Sequence, residues 1–169
     1  MEFPQVKRSD ADALVHFLTA GEWPFHVVPK VDPDDVLARL ASGAYDDAFW
    51  VVDGATEIGL VRLFDLDEGT PLFDLRLSRE ARGRGAGTAA VRWLTGHVFT
   101  NHATNRIEGT TRADNHAMRR VFAKCGYVKE SHYRDAWPAG DRLHDSVGYA
   151  ILRRDWETGT TTPVNWDDV

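Results

Sequence analysis

The chain has 169 residues, 43% of them hydrophobic and 27% charged, which suits one domain with a full core and not a disordered or fibrous protein. Its net charge of −6 argues against general nucleic-acid binding, and no apolar run approaches the roughly 20 residues that a membrane span needs. The lone cysteine, Cys125, excludes an internal disulfide framework; with an N-terminus that lacks a signal-peptide layout, this predicts a reducing, cytoplasmic setting.

Phe3 to Lys7 predicts a first strand. Ser9 reads as a helix N-cap with Asp12 three residues on, and Leu14, Val15, Phe17 and Leu18 supply the apolar face. Gly21-Glu22-Trp23-Pro24-Phe25-His26 breaks that helix as an aromatic loop. Asp32-Pro33 opens a second helix, with proline at the position where its missing N–H costs nothing, and Gly43 closes it. Acidic residues crowd this region, among them Asp10, Asp12, Asp32, Asp34, Asp35, Asp46 and Asp47. They are either helix caps and a solvated face or a field that steers a cationic substrate.

Strands follow at Ala48 to Val52 and Glu57 to Phe64, flanking the hairpin signal Asp53-Gly54. Leu72 to Leu77 is the fourth strand. After the polar loop Ser78 to Ala81 comes Arg82-Gly83-Arg84-Gly85-Ala86-Gly87, and from Thr88 apolar residues recur at helical spacing: Val91, Leu94 and Val98. Arg106 to Thr111 is the fifth strand, and Asn115 to Lys124 the helix after it, ended by Gly126. Its apolar stripe holds Cys125, which reads as a buried structural thiol. Tyr127 to Ala136 and Ser146 to Leu152 pair as a hairpin across Trp137 to Asp141. Residues 158–169 are threonine-rich and aperiodic, a tail or strap beyond a single domain of residues 1–157.

Three alternate glycines at a helix start let the backbone approach a ligand, and the free N–H groups of the first turn favour an anion, naturally a phosphate. The Gly-Lys-Ser/Thr ending of a nucleotide P-loop is absent. A dinucleotide fingerprint would need glycine at 88, where threonine stands, although Glu108 falls about where a ribose-binding acid would be.

The pattern Arg-x-x-Gly-x-Gly at Arg82, Gly85 and Gly87 resembles the pyrophosphate-binding motif of GNAT-type acetyl-CoA-dependent N-acetyltransferases. Asp114 to Tyr127 looks like the asparagine-led helix of that family. Tyr149 to Trp156 looks like the last strand of its RimJ/RimL-like subgroup. The resemblance implies an α/β (α+β) fold: a mixed, mostly antiparallel sheet splayed between its fourth and fifth strands, with helices on both faces. It implies acetyl-CoA as co-substrate, held by Leu75, Leu77, Arg82, Gly83, Arg84, Gly85, Ala86, Gly87, Thr88 and Asn115. The pantetheine arm would pair with free backbone groups of the 72–77 strand. The acceptor would be an amine, either a protein N-terminus or a small molecule, attacking the thioester directly.

The acid and base of the chemistry are where the pattern thins. Phe122 stands where many relatives carry tyrosine, Met118 where RimL-like relatives carry serine, and Pro71 near the place of a frequent glutamate. By location the candidates are Asp74, Glu108, Tyr133 and Asp135, each of which could instead make an ordinary hydrogen bond or ion pair. Trp23, Phe25 and Trp137 are the expected walls of an acceptor pocket. His97, His102 and His116 lack metal-ligand spacing, so no metal is expected. No nucleic acid or membrane partner is expected, and a homodimer is compatible with the sequence. An acyl-CoA-binding module without catalysis and a nucleotide-binding regulatory domain are the alternatives.

Overall fold

A computed structural model describes residues 1–166. By its internal contacts the chain forms two compact units, residues 1–64 with 73–90, and residues 65–72 with 91–169. The fold is mixed α/β, with a six-stranded open sheet whose strands lie in the order Ala48–Asp53, Thr56–Phe64, Leu72–Leu77, Arg106–Arg112, Arg142–Leu152, Val128–Ala139.

In the first unit, α1 (Ala11–Thr19) and α2 (Pro33–Ala41) precede the hairpin of β1 (Ala48–Asp53) and β2 (Thr56–Phe64). Leu14, Leu18, Val36 and Leu40 from the helices pack with Tyr45, Ala48, Trp50 and Leu60 in one buried cluster. The acidic residues here largely serve helix starts. Asp10 accepts from the Lys7 N–H at 2.9 Å and from Trp50 Nε1 at 3.3 Å. Asp32 caps α2 by accepting from the Asp34 N–H, and Asp34 and Asp35 lie in the first turn, where the helix dipole favours them.

The expected first strand does not form as a regular one. Residues 2–6 run along β1 as two isolated bridges, Glu2 with Val52 and Gln5 with Phe49. Pro4 is the reason: its carbonyl accepts from Trp50, but it has no N–H to return. The helix start also shifts, because Asp10 rather than Ser9 anchors it.

Strand β3 (Leu72–Leu77) approaches β2 closely: a Cβ built on Gly59 would lie 2.7 Å from the Arg76 carbonyl oxygen. A short turn at Arg79–Ala81 leads to α3 (Ala86–Asn101), which begins in the first unit and continues in the second.

The second unit holds β4 (Arg106–Arg112), α4 (His116–Lys124), β5 (Val128–Ala139), β6 (Arg142–Leu152) and α5 (Arg153–Thr158). Strand β6 pairs antiparallel with both β4 and β5. The parallel ladder of β3 with β4 consists of one register pair, Leu72 with Glu108, and the Glu108 N–H donates to the Pro71 carbonyl. Phe122 stacks on Tyr149 with ring centroids 4.6 Å apart, and buried Tyr127 shares a 2.9 Å hydrogen bond with Thr95. Burial pushes the Cys125 thiol up, in keeping with a structural role.

Two boundaries move. The β5–β6 strands run almost to the turn, because Gly140 at φ +62° allows a tight reversal, so Trp137 sits in β5 opposite His144. The last strand ends at Leu152, and Arg153 opens a short helix instead. There its guanidinium donates to the carbonyls of Phe99, His102 and Thr104 at 2.6–2.7 Å. Those carbonyls belong to the end of α3 and the turn after it, where backbone acceptors lack helical partners. Asp155 of α5 accepts from the Thr162 N–H and hydroxyl, fastening that part of the 158–169 strap; residues 167–169 lie outside the described residues.

Arg153→Ala strips three carbonyls of a charged donor. It is expected to cost about 2–3 kcal/mol, read as a lower urea midpoint at unchanged slope.

Candidate functional site

The loop after α1 is held by its own backbone. The Trp23 N–H donates to the Pro29 carbonyl, the His26 N–H to the Trp23 carbonyl, and the Trp23 indole to the Leu18 carbonyl at 2.8 Å. This buries the Trp23 ring, 3% exposed, and leaves Val27 and Val28 outside. Phe17 of α1 and His26 of the loop meet the ring, and the guanidiniums of Arg76 and Arg82 lie 5.3 and 5.9 Å from it.

Strand β3 supplies the opposing wall. The Ser78 N–H bonds the Ile58 carbonyl of β2. Alternation along the strand then turns the backbone groups of Leu77, Leu75 and Phe73 to the other edge. Two carbonyls there are met by side chains: Leu75 by His26 Nε2 at 3.3 Å and Leu77 by Arg82 Nε at 3.1 Å.

Asp74, on the same strand, is bound by His26 Nε2 at 2.9 Å and Arg76 Nε at 3.1 Å. Burial works to raise its carboxyl, but the hydrogen bonds and charges of His26 and Arg76 prevail and hold it at about 2. Near neutral pH it is therefore a carboxylate committed to its partners and a poor proton acceptor.

The glycine turn follows. Gly83 and Gly85 adopt φ of +75° and +91°, which a residue bearing Cβ adopts only with strain, and nothing lies within 4 Å of where either Cβ would stand. The Gly85 carbonyl accepts from the Ala89 N–H, so α3 starts at Ala86, with Gly87 and Thr88 in its first turn. A bare backbone, open space and a helix N-terminus together suit an anionic ligand.

A cleft of about 1270 Å³ opens in the same unit, between α1, the Trp23 loop and the turn before α3. Asp12, Glu22, Glu57 and Glu80 line it, but so do His16, Lys30, Arg79 and Arg82, so its charge is mixed.

The first unit thus gathers Trp23, Phe25, Asp74, Leu75, Leu77 and the 82–88 turn. Glu108, Asn115, Tyr133, Asp135 and Trp137 belong to the second. Glu108 pairs with Arg106 at 2.6 Å, and Arg106 also holds Glu130. Asn115 caps α4 through the Met118 N–H and donates to Thr111 Oγ1, so both ends of its amide are engaged. Tyr133 is 57% exposed, and Asp135, at φ +52°, donates its N–H to Asp145 beside a bulge in β5. His26 was not visible as a site residue in the sequence: Asp74 lies 48 positions away, and no local pattern joins them.

The family model for the acetyltransferase (GNAT) domain matches residues 1–128. The chain belongs to the GNAT acetyltransferase family. YdaF of Bacillus subtilis, which carries the provisional name ribosomal N-acetyltransferase, is 30% identical over 101 residues. That match covers 59% of this chain and 55% of YdaF, so the chain spans about half the length of this curated relative. Among solved structures, a chimera of the Vibrio cholerae spermidine N-acetyltransferase SpeG and hSSAT superposes with a TM-score of 0.81 at 20% identity, covering 94% of this chain and 99% of that one. The Vibrio cholerae spermidine N-acetyltransferase in complex with CoA and spermine gives 0.78 at 18% identity, covering 92% and 97%. These structures share the fold.

Within the GNAT frame, Phe122 is a core residue, 1% exposed beneath Tyr149, and offers no hydroxyl. The ionised state of Asp74 has a testable cost. Its carboxyl titrates lower in the folded chain than its ordinary 3.8, so the stabilisation is fully present above that value and is lost as pH falls toward about 2. The gap corresponds to about 2 kcal/mol. The urea midpoint should therefore fall less steeply from pH 4 to 2 in Asp74→Asn than in the wild type (window set by the two values above).

Proposed function

We propose that the chain transfers an acetyl group from acetyl-CoA to a primary amine by direct attack in a ternary complex, with no metal. The observation that carries this is the juxtaposition, within one compact unit, of the open glycine turn at the start of α3 and the outward-facing backbone edge of β3. Arg82, Gly83, Arg84, Gly85, Ala86, Gly87 and Thr88 would hold the pyrophosphate, through backbone N–H groups and the two arginines. Leu75 and Leu77 would pair with the pantetheine amides as an added strand would. Asn115 would act by fixing the start of α4. That a GNAT-fold neighbour was solved with CoA and spermine supports the donor and an amine acceptor.

Trp23 and Phe25 are the proposed acceptor walls, and a protein N-terminus or a small amine is the proposed acceptor class. The YdaF match, to a protein named as a ribosomal N-acetyltransferase, supports a RimJ/RimL-like enzyme, and a cytoplasmic setting is part of the same proposal. Of the polar candidates, Asp74 is committed to His26 and Arg76, and Glu108, Tyr133 and Asp135 remain candidates for proton transfer. The buried Phe122 favours a second reading, an acyl-CoA-binding module without catalysis. Release of CoA thiol with a panel of amines separates the two: turnover supports transfer, and binding without turnover supports the module.

Two outcomes are expected. Gly85→Asp should abolish acetyl-CoA binding in titration calorimetry, because it adds a carboxylate and backbone strain where an anion belongs, whereas Gly85→Ala, carrying strain alone, should weaken it less. In the amine panel at neutral pH, peptide α-amines, with reference pKa about 7.7–8.0, should be acetylated faster than lysine side chains at about 10.4, because more of the α-amine is already deprotonated. Equal rates would remove that preference.

A further inference from the structure

His26 Nε2 lies between two acceptors, Asp74 Oδ1 at 2.9 Å and the Leu75 carbonyl at 3.3 Å. A carbonyl and an ionised carboxylate cannot donate, so the hydrogen of that contact sits on Nε2. In its neutral form the ring then carries its lone pair on Nδ1. Nδ1 is enclosed and has no hydrogen-bond partner among the described residues. Folded chains leave few buried polar atoms unpaired, and such atoms call for a reason. The others found here are Arg62 Nε, Arg76 Nη1 and Arg106 Nε, which can only donate. Among the described residues, His26 Nδ1 is the one such atom able to accept a proton.

We propose that His26 is the general base of the acetyl transfer, receiving the amine proton on Nδ1 while Asp74 fixes the ring through Nε2. This rests on the acetyl-transfer reading above. It is a base with its orienting partner, the arrangement that general-base catalysis requires. Asp74, anchored in turn by Arg76, selects the tautomer and faces the imidazolium once the proton arrives. The Trp23 ring, set edge-on to His26 with centroids 6.0 Å apart, lines the cleft, which places the base one ring from an open volume. Because Nδ1 is enclosed and the cleft is lined by Trp23 and not by His26, the amine's proton has to reach it through one water beside the Trp23 ring. The charged and titratable groups around the pair are Asp74 and Arg76 of β3, Arg82 across Trp23, and Tyr45 and Arg62, which couple to Asp74.

The step balances without another reactant. The amine nitrogen forms the C–N bond, the C–S bond breaks, and its electron pair leaves on sulfur. The nitrogen's surplus proton passes to His26 Nδ1 and then to solvent, and the CoA thiolate takes a proton from water.

The test compares wild type, H26Q and H26A, measuring kcat and KM for a peptide α-amine, the pH profile, and acetyl-CoA affinity by calorimetry. H26Q keeps an N–H that can reach Asp74 but carries no base. The expected result is a loss of about 10²–10⁴ in kcat at unchanged acetyl-CoA affinity. The acidic limb of the kcat/KM profile should vanish, and added imidazole should restore turnover in H26A. Wild-type turnover in H26Q overturns the proposal, as does a loss that follows acetyl-CoA affinity or an acidic limb that persists. A wild type that binds acetyl-CoA yet acetylates no amine overturns the transfer reading and the base with it. A wild type that turns over alongside an unimpaired H26Q overturns the base alone.

Discussion

Strand β3 has to keep its shape with a backbone edge that β2 does not serve. Beyond Leu72 two carbonyls on that edge are met by side chains from other parts of the first unit, that of Leu75 by His26 and that of Leu77 by Arg82. Both of those side chains rest on Trp23, as does Arg76. One buried indole, itself tied to the end of α1 through Leu18, therefore organises the aromatic loop, the strand edge and the approach to the glycine turn. Side chains can leave a carbonyl far more readily than a neighbouring strand can. An edge held this way stays ordered and yet remains available to an added strand-like ligand.

Charge around β3 follows the same economy. Asp74 is kept ionised by a histidine and an arginine, and Arg76 spans from that carboxylate to the face of Trp23. Removing the carboxylate would leave two buried cationic or polar groups without an acceptor, a heavier loss than one hydrogen bond. The strand therefore depends on the loop before it in sequence, and the loop depends on the strand.

Features written in neighbouring residues were legible in the sequence. The Asp32-Pro33 start, the hairpin signalled by Asp53-Gly54 and the helix after the glycine run each depend on a few consecutive side chains, and each forms as expected. Pro4 was equally local, yet its effect depends on which strand lies alongside, so residues 3–7 looked more regular than they are. Arg153 fell within the last strand only through the family resemblance, which ran on to Trp156 where the pattern stopped at Leu152; its three carbonyl partners lie 49 to 54 residues earlier. His26 was hidden for the same reason. A histidine in an aromatic loop has no signature until the fold brings a carboxylate to one nitrogen and leaves the other alone. The glycine turn could be located but its openness could not, since empty space around a backbone is a property of what the rest of the chain avoids.

The outermost strand of the second unit bears on a different question, how readily another strand could add to the end of the sheet. Strand β5 is 12 residues long and ends the sheet order, a length that would ordinarily invite another chain to pair along it. Its register slips between Lys129 and Ser131 and again between Tyr133 and Trp137, Asp135 turns to positive φ within the second slip, and Pro138 lacks a donor three residues later. An incoming straight strand would lose step after a few residues wherever it began. The irregularities that made this hairpin hard to read are thus a guard against fibre-like stacking, built into the backbone rather than into the surface charge.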